Sequence, residues 1–323
     1  MVRIIGTTPK VQLPSIDPAV VPYAPSLYLR GGEGDDTLTG GRGNDQIFGN
    51  GGNDRLYSGG GNDLIDGGDG DDIIGASRDG SITALGGRGA DRIFGGDGND
   101  TLFGESGTDD IHGGFGSDLI FGGDDRDSLF GDRADDTIYG GAGDDYIDGG
   151  ENDDKIFGDS GTDILMGDVG EDVIHGGDDG DQIFGGEGHD LLFGDGGSDI
   201  IHARAATFSV EDEIDGGDGL DTVVFDQSFL YLNDAGDHLH SIERIDLGNH
   251  NNTIGLSAQD VIDISGNDFL FIDGGATDRV QATSGWTYEG TFADSGNIYH
   301  HYSMAVGGAT AHLAVDTDIA LNA

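Results

Sequence analysis

A nine-residue repeat constrains this chain more than any other feature of its sequence. The pattern GGxGxDxUx, in which U is aliphatic, occurs five times head to tail over residues 31–75, thirteen times over 86–202 and once over 216–224. In all 19 copies the sixth position is Asp and the eighth is Ile, Leu or Val. A stretch of ten residues without the pattern, 76–85, separates the first two series. Chance cannot produce this regularity, so each nonapeptide must be one structural unit of a repetitive fold.

The nine-residue period excludes an α-helix. Residues nine apart on a helix of about 3.6 residues per turn are rotated by about 900°, so successive aliphatic side chains would face opposite sides. A short strand over the last three positions and a Gly-rich turn over the first six fit instead, because Gly readily adopts positive φ. Two nonapeptides then form one turn of a parallel solenoid, in which equivalent residues of successive turns stack at about 4.8 Å and the aliphatic side chains face inward.

Stacked turns would bring the sixth-position aspartates close together. The chain has 63 acidic and 14 basic residues, which gives a formal net charge of −49. Two carboxylates about 4.8 Å apart repel each other by about 0.9 kcal/mol even in bulk water, and one aliphatic residue per repeat builds only a thin core to offset this. A hard cation reverses the repulsion, because Ca²⁺ takes roughly 6 to 8 oxygen ligands from carboxylates and backbone carbonyls. The pattern therefore predicts calcium bound between the turns.

Composition and missing motifs exclude several classes of protein. The excess of acidic residues would repel a phosphate backbone, so no nucleic-acid partner is expected. The chain has no Cys, which excludes disulfides, thiol catalysis and zinc–thiolate sites. No apolar run approaches the roughly 18 residues needed to span a membrane. HExxH and GxSxG motifs are absent, and the many carboxylate pairs are better explained as metal ligands. No enzyme is predicted.

The repeats resemble the RTX, or haemolysin-type, calcium-binding nonapeptides of bacterial proteins exported by type I secretion. This resemblance implies an all-β fold, a right-handed parallel β-roll (a β-solenoid) with calcium between its turns. It also implies that each ion lies between the loops of every second repeat, which stack on one another. Both sixth-position Asp side chains would bind it, together with carbonyls of positions two and four of the first loop and of positions one and three of the second.

This rule selects eighteen aspartates as candidate metal ligands: Asp36, Asp45, Asp54, Asp63, Asp72, Asp91, Asp100, Asp109, Asp118, Asp127, Asp136, Asp145, Asp154, Asp163, Asp172, Asp181, Asp190 and Asp199. The candidate backbone ligands at the start of the two series are Gly32, Gly34, Gly41, Gly43, Gly87, Gly89, Gly96, Gly98, Gly104 and Ser106.

The number of ions follows from the lengths of the series. A run of n repeats holds n − 2 ions, which gives three for the first series, eleven for the second and about 14 Ca²⁺ altogether. The break at 76–85 is expected to hold few ions, and Asp91, at the start of the second series, is expected to pair only with Asp109. The loop 131–136 has Asp and Ala at two positions that favour Gly, so it is the candidate for the weakest site.

The sequence divides into three parts. Residues 1–30 contain all five prolines and no periodicity, which predicts an extended N-terminal arm rather than a cleavable secretory signal. Residues 31–224 form the predicted roll, with the break at 76–85 and an insertion at 203–215. Residues 225–323 show strand-like alternation and predict a small β-rich C-terminal domain.

One short helix is expected within the C-terminal part. It should cover Ser257–Ile264, where the letters SAQD form a capping box.

The C-terminal part also resembles the β-rich end of large RTX adhesins, through the order IERIDL, NNTIGLSAQDVIDISGNDFLFIDGG and VDTDI. In that family a type I ABC exporter recognises the uncleaved last residues. The resemblance implies an extracellular, secreted or cell-surface protein that folds on calcium binding outside the cell. Its implied role is adhesion or the structure of a cell surface or matrix, with a glycan or surface ligand as partner. The alternative is a non-catalytic C-terminal accessory module of a secreted protease, lipase or epimerase.

Two patterns leave alternatives open. The ninth positions of every second repeat form a ladder that is nearly all aromatic, and its members are Phe103, Phe121, Tyr139, Phe157, His175 and Phe193. These rings either stack on one another to cover the sheet or dock a partner. Adjacent histidines at 300–301, or the HxH at 238–240, offer a weaker alternative, a transition-metal site.

Overall fold

The computed structural model describes residues 2–5, 25–76, 80–203, 213–225, 231–232, 238–248 and 251–322. The described chain forms two compact units, Met1–Ile164 and Leu165–Ala323, each with its own internal contacts. The proline-rich part of the predicted N-terminal arm and most of the predicted insertion at 203–215 lie outside the described residues.

The first unit is built from short parallel strands. Its strands are β1 (Val2–Ile5), β2 (Leu27–Arg30), β3 (Thr37–Thr39), β4 (Gln46–Gly51), β5 (Arg55–Tyr57), β6 (Asp63–Asp69), β7 (Ile73–Gly75), β8 (Ile82–Arg88), β9 (Arg92–Asp97), β10 (Thr101–Ser106), β11 (Asp110–Phe115), β12 (Leu119–Asp124), β13 (Ser128–Arg133), β14 (Thr137–Ala142), β15 (Tyr146–Glu151) and β16 (Lys155–Ser160). Successive strands alternate between two sheets, of which one runs β1-β2-β4-β6-β8-β10-β12-β14-β16 and the other β3-β5-β7-β9-β11-β13-β15.

The register of these sheets follows the double repeat. Thr101 of β10 pairs with Leu119 of β12, which lies two repeats later, and the same offset recurs from turn to turn. Eighth-position side chains such as Leu102 and Ile120 are fully buried between the sheets, whereas the positions on either side face outward. The structure confirms the all-β class and the parallel β-roll, because each nonapeptide contributes one strand and one turn.

The ten-residue break does not interrupt either sheet. Asp63 of β6 pairs with Ile82 of β8, so the break adds a single residue to the regular offset of two repeats. The next pairing, of β8 with β10, returns to the regular offset. In this register Ile82 takes the place of a sixth-position Asp and Ala84 that of an eighth-position aliphatic, and both are buried. The strands on either side of the break therefore keep their alignment despite the extra residue.

The second unit contains the remaining strands and one helix. These are β17 (Ile164–Val169, at the boundary), β18 (Val173–Asp178), β19 (Gln182–Glu187), β20 (Leu191–Gly197), β21 (Ile200–Ala203), β22 (Glu213–Asp215), β23 (Asp218–Gly219), β24 (Thr222–Phe225), β25 (Tyr231–Leu232), β26 (Leu239–His240), β27 (Arg244–Asp246), β28 (Thr253–Leu256), α1 (Ala258–Ser265), β29 (Phe269–Asp273), β30 (Arg279–Ala282), β31 (Thr287–Asp294), β32 (Asn297–Val306), β33 (Ala309–Asp316) and β34 (Ala320–Asn322). No helix in these ranges has the length and apolar character needed to cross a membrane.

Parallel pairing continues through most of this unit. One sheet runs β19-β21-β24-β27-β29-β33-β32-β31, another runs β18-β20-β22-β26, and a third runs β25-β28-β30-β34. Among the described pairings, only those of β31 with β32 and of β32 with β33 are antiparallel. The pairing of β24 with β27 carries the parallel ladder past the predicted domain boundary at residue 224, which stays a prediction.

The predicted helix is confirmed as α1. Ser257 is its N-cap and accepts a hydrogen bond from the Asp260 amide, while the Asp260 side chain accepts one from the Ser257 amide. This is the capping box expected from the letters SAQD.

Candidate metal sites

The sixth-position aspartates stack in columns at the ends of the strands. Each backbone N–H of one aspartate donates to Oδ1 of the aspartate one turn later, as Asp91 does to Asp109 at 2.8 Å. Eleven such pairs lie in the first unit: 36/54, 45/63, 54/72, 72/91, 91/109, 100/118, 109/127, 118/136, 127/145, 136/154 and 145/163. Three lie in the second: 172/190, 181/199 and 199/221. The structure thus brings the predicted side-chain ligands together.

The other carboxylate oxygen of many column aspartates is buried without a hydrogen-bond partner. Among the described residues this holds for Oδ2 of Asp54, Asp63, Asp72, Asp91, Asp100, Asp109, Asp118, Asp127, Asp136, Asp145, Asp199 and Asp221. A buried acceptor left unpaired costs about 1–3 kcal/mol, and a charged one costs more. Each of these oxygens therefore needs a cation or a proton.

A carbonyl oxygen of the following turn faces the same small space as this carboxylate. A Cβ on Gly104 would lie closer than 3.0 Å to both Asp109 Oδ2 and the carbonyl oxygen of Gly122. The same holds at Gly86, where Asp91 Oδ2 and the carbonyl oxygen of Gly104 converge. Gly stands at the first position of every repeat but one, where Ser58 replaces it, and the missing side chain leaves room for the two oxygens to approach each other. This convergence fits the oxygen ligands that Ca²⁺ prefers.

The remaining predicted backbone donors lie along the same loops. Each of five carbonyl oxygens lies within 3.0 Å of the place that a Cβ would take on the glycine at the equivalent loop position one turn later. These are the carbonyl oxygens of Gly41, Gly43, Gly89, Gly96 and Gly98.

The last four predicted donors show a different environment. Gly34 lies directly beneath Gly52 of the next turn. The Gly32 carbonyl accepts a hydrogen bond from the Gly51 amide, and that of Gly87 accepts one from the Ser106 hydroxyl. The Ser106 carbonyl already accepts the Gly89 amide at 2.9 Å, which leaves one lone pair for a metal. The role of all ten as ligands stays a prediction.

Burial raises the pKa of several column aspartates far above the usual 3.8. The pKa of Asp109 rises to about 6, that of Asp118 to about 7, that of Asp127 to about 8 and that of Asp136 to about 9. Loss of water around the carboxylate is the largest cause, and the neighbouring aspartates of the column add to it. A backbone hydrogen bond to each carboxylate partly offsets the rise. Without metal, the folded loops therefore hold protons that an exposed aspartate would lose.

The expectation that Asp91 pairs only with Asp109 is wrong. The Asp72 amide donates to Asp91 Oδ1 at 2.8 Å, so this column runs unbroken past residues 76–85. The break affects only the other column, where Ile82 replaces an aspartate and its amide donates to Asp100 Oδ1. The column with Ile82 therefore has a gap. The other column contains the pair Asp72/Asp91, which is omitted when ions are counted within each series of repeats separately.

Two further features were missed by sequence reasoning. Asp221 of the lone repeat is fully buried, and its Oδ1 accepts the Asp199 amide at 2.9 Å. Fifth-position side chains also form a ladder, in which Asn62 Oδ1 accepts the Ser81 amide and Ser81 Oγ accepts the Asn99 amide. This ladder runs through the break, so it ties together loops that lack an aspartate pair. The signal was the frequent Asn, Asp, Ser and Thr at the fifth position.

Non-Gly residues at the second and fourth loop positions keep the left-handed backbone of the Gly that they replace. They are Asn50, Glu105, Asp125, Asp132, Ala134, Asn152, Asp159, Asp168, Asp179 and Asp195, with φ between 67° and 87°. The φ of Ala134 is 77°, a conformation that costs an L-residue without a polar side chain roughly 1–2 kcal/mol. This strain supports the prediction that the loop 131–136 holds the weakest site.

Side chains alone do not form a metal cluster. Within the described ranges there is no group of three or more His, Cys, Asp or Glu residues placed to hold an ion. Two carboxylates per site would therefore need the backbone carbonyls described above to complete the six to eight oxygens that roughly suit Ca²⁺.

Comparison with known families gives one match. The family model of the RTX calcium-binding nonapeptide repeat (4 copies) matches residues 28–56, 48–79, 85–120, 121–156, 139–174, 157–192 and 175–205. These segments cover more than half of the chain and end before the C-terminal part, so the resemblance of that part to adhesins stays a prediction. No curated protein matches the chain.

Proposed function

Because this chain belongs to the RTX calcium-binding nonapeptide repeat family, we propose that it is a secreted protein whose roll folds on calcium binding outside the cell. It is a calcium-binding β-roll protein, and the β-roll of such repeats is a structural, non-catalytic fold typical of secreted proteins. The observation that carries the proposal is the column of buried aspartates whose Oδ2 atoms have no hydrogen-bond partner. A bound cation would compensate the charge of these buried carboxylates.

The energetics favour folding outside the cell. Extracellular calcium modules bind at roughly 10⁻⁴ to 10⁻³ M, so a site at ten times its Kd contributes about 1.4 kcal/mol. Micromolar cytosolic calcium contributes almost nothing to such a site. Fourteen sites would supply about 20 kcal/mol, more than the usual 5–15 kcal/mol that stabilises a folded domain. The unfolded chain in the cytosol would then suit passage through a type I ABC exporter.

The stacked pairs described within the two units give a minimum for the number of ions that we propose. Fourteen pairs lie within the two units, and they include 72/91 and 199/221, which counting within the two series omits. Fourteen divalent ions would add +28 to the formal charge of −49 and leave −21. Most of the self-repulsion of the chain would be removed, while the filled roll would stay acidic.

The inner rings of the aromatic ladder can offer only their edges to a binding partner. The ring centroids of Phe103, Phe121, Tyr139 and Phe157 follow one another at 4.8 to 5.0 Å, and the planes of neighbouring rings are nearly parallel. Each inner ring therefore has both faces covered by its neighbours, which favours the interpretation that the ladder shields the sheet. A glycan that stacks on exposed ring faces would not bind here. Adhesion or matrix structure therefore remains the proposed role on the strength of family resemblance.

Circular dichroism of the whole chain tests the proposed calcium-dependent folding. In about 10 mM calcium, well above the expected Kd, the spectrum should be that of a β protein, and in excess chelator it should be that of a disordered chain. Magnesium at the same concentration is the control, since it prefers rigid octahedral sites that retain water. An unchanged β spectrum in chelator would reject the proposal.

A further inference from the structure

Two histidines meet on adjacent antiparallel strands of the second unit. His301 lies on β32 and His312 on β33, and antiparallel pairing places His312 opposite Ser303, two residues from His301 on the same face. His301 Nε2 and His312 Nδ1 are 3.0 Å apart, within hydrogen-bond distance, and the two rings are stacked with 5.2 Å between centroids. The adjacent His300 projects to the opposite face of β32, where it contacts Tyr288 and Tyr302. The histidines that meet are therefore not the neighbours in sequence.

The separation of the two nitrogens suits a shared metal ion. Nitrogens each about 2.05 Å from one ion are about 2.9 Å apart at a bond angle of 90° and about 3.4 Å apart at the tetrahedral angle. The observed 3.0 Å lies between these values. A neutral imidazole carries one N–H, so both facing nitrogens become ligands when the hydrogens sit on His301 Nδ1 and His312 Nε2.

The surroundings supply a rigid wall and one nearby carboxylate. Phe269 of β29 stacks on both imidazoles, with centroids 5.5 Å from His301 and 5.7 Å from His312. The Ser303 hydroxyl donates to Glu289 Oε1 at 2.6 Å. Burial lowers the pKa of the His301 imidazole, His312 lowers it further, and the Glu289 carboxylate partly offsets this. The half-buried pair is thus held in place on one side and open to a carboxylate on the other.

We propose that His301 and His312 together bind one divalent transition metal ion, of the class of Zn²⁺, Ni²⁺ and Cu²⁺. Imidazole nitrogens suit these ions, whereas Ca²⁺ takes oxygen ligands, so this site is chemically distinct from the roll. Glu289, after turning away from Ser303, and water complete the coordination, because no third ligand stands in place among the described residues. The ion would tie β32 to β33 next to the exposed edge strand β31.

Electron paramagnetic resonance of Cu²⁺ on the whole chain tests this site. The protein is first saturated with calcium so that the roll carboxylates are occupied, and one equivalent of Cu²⁺ is then added. The spectrum should show superhyperfine coupling to two nitrogens, and Cu²⁺ affinity should fall at least about tenfold in His301→Ala and in His312→Ala. His300→Ala, on the other face of the same strand, is the matched control and should keep both signals.

Three outcomes separate the proposal from its alternatives. Oxygen-only coordination in the native chain would mean that Cu²⁺ binds the aspartates, and it would overturn the proposal. Equal affinity in all three variants would also overturn it. Glu289→Gln should weaken copper binding without removing the two-nitrogen signal. Because this variant keeps both His301 and His312, it still tests the site if an alanine variant fails to fold. Calcium-induced circular dichroism, recorded for each variant, reports folding independently of the copper signal.

Discussion

Asp109→Asn and Asp100→Asn form a matched pair of substitutions that isolates the contribution of stacked aspartates. Both carboxylates are buried, both have pKa values raised to about 6, and Oδ1 of each accepts an amide from the preceding turn. They differ in the residue that donates this amide. Asp109 has aspartates on both sides, at 91 and 127, whereas Asp100 has Ile82 on one side and Asp118 on the other.

The magnitude follows from the number of ions that each aspartate serves. Asp109 belongs to two proposed sites and Asp100 to one, so at ten times Kd the losses are about 2.8 and 1.4 kcal/mol. Asn keeps the Oδ1 acceptor, so the backbone hydrogen bond remains in both variants. The difference in the free energy of unfolding should be about 1.4 kcal/mol, a tenfold change in the unfolding equilibrium.

Urea unfolding followed by circular dichroism in about 10 mM calcium measures the difference between the two variants. Equal losses for the two variants in calcium would refute the stacked-pair reasoning.

The loop geometry gives three further predictions. The raised pKa values near 6 to 9 mean that the metal-free fold binds more protons than the unfolded chain from pH 4 upward, so its stability should fall as pH rises toward 8. When calcium is present, protons compete with it for the same carboxylates. The calcium concentration at the midpoint of folding, measured by circular dichroism, should therefore rise already below about pH 7; a midpoint constant down to pH 5 would contradict this. Gly104→Ala should abolish or severely weaken calcium-induced folding, because its Cβ would overlap Asp109 Oδ2 and the Gly122 carbonyl, whereas Gly266→Ala has nothing within 4 Å and should cost only about 1 kcal/mol in thermal unfolding. Ala134→Gly should raise the unfolding free energy in calcium by about 1 kcal/mol by relieving positive φ, and a loss would show that Ala134 is not strained.

Much of the roll could be predicted because its physical requirements repeat. Asp at the sixth position and an aliphatic residue at the eighth recur in every copy, and these two positions define the column and the core. The positions at which Asn or Asp replaces Gly could also be identified, since a fixed loop conformation demands positive φ there. A periodic sequence predicts periodic contacts.

Contacts that break the period could not be read from it. Asp72 meets Asp91 across the break, at a separation of 19 residues, and Asp199 meets Asp221 across the insertion that precedes the lone repeat, at a separation of 22. His301 meets His312 through the register of a single antiparallel hairpin, for which no repeat exists. Each of these contacts depends on where the chain absorbs an irregular length, and sequence spacing alone does not determine that.

The calcium stoichiometry of the whole chain tests the account most directly. Equilibrium dialysis in about 10 mM calcium, followed by elemental analysis, counts the bound ions per chain against a parallel sample in chelator. The fourteen aspartate pairs within the two units predict at least about 14 ions per chain. A stoichiometry of two or three would contradict the claim that calcium fills the space between stacked loops throughout the roll.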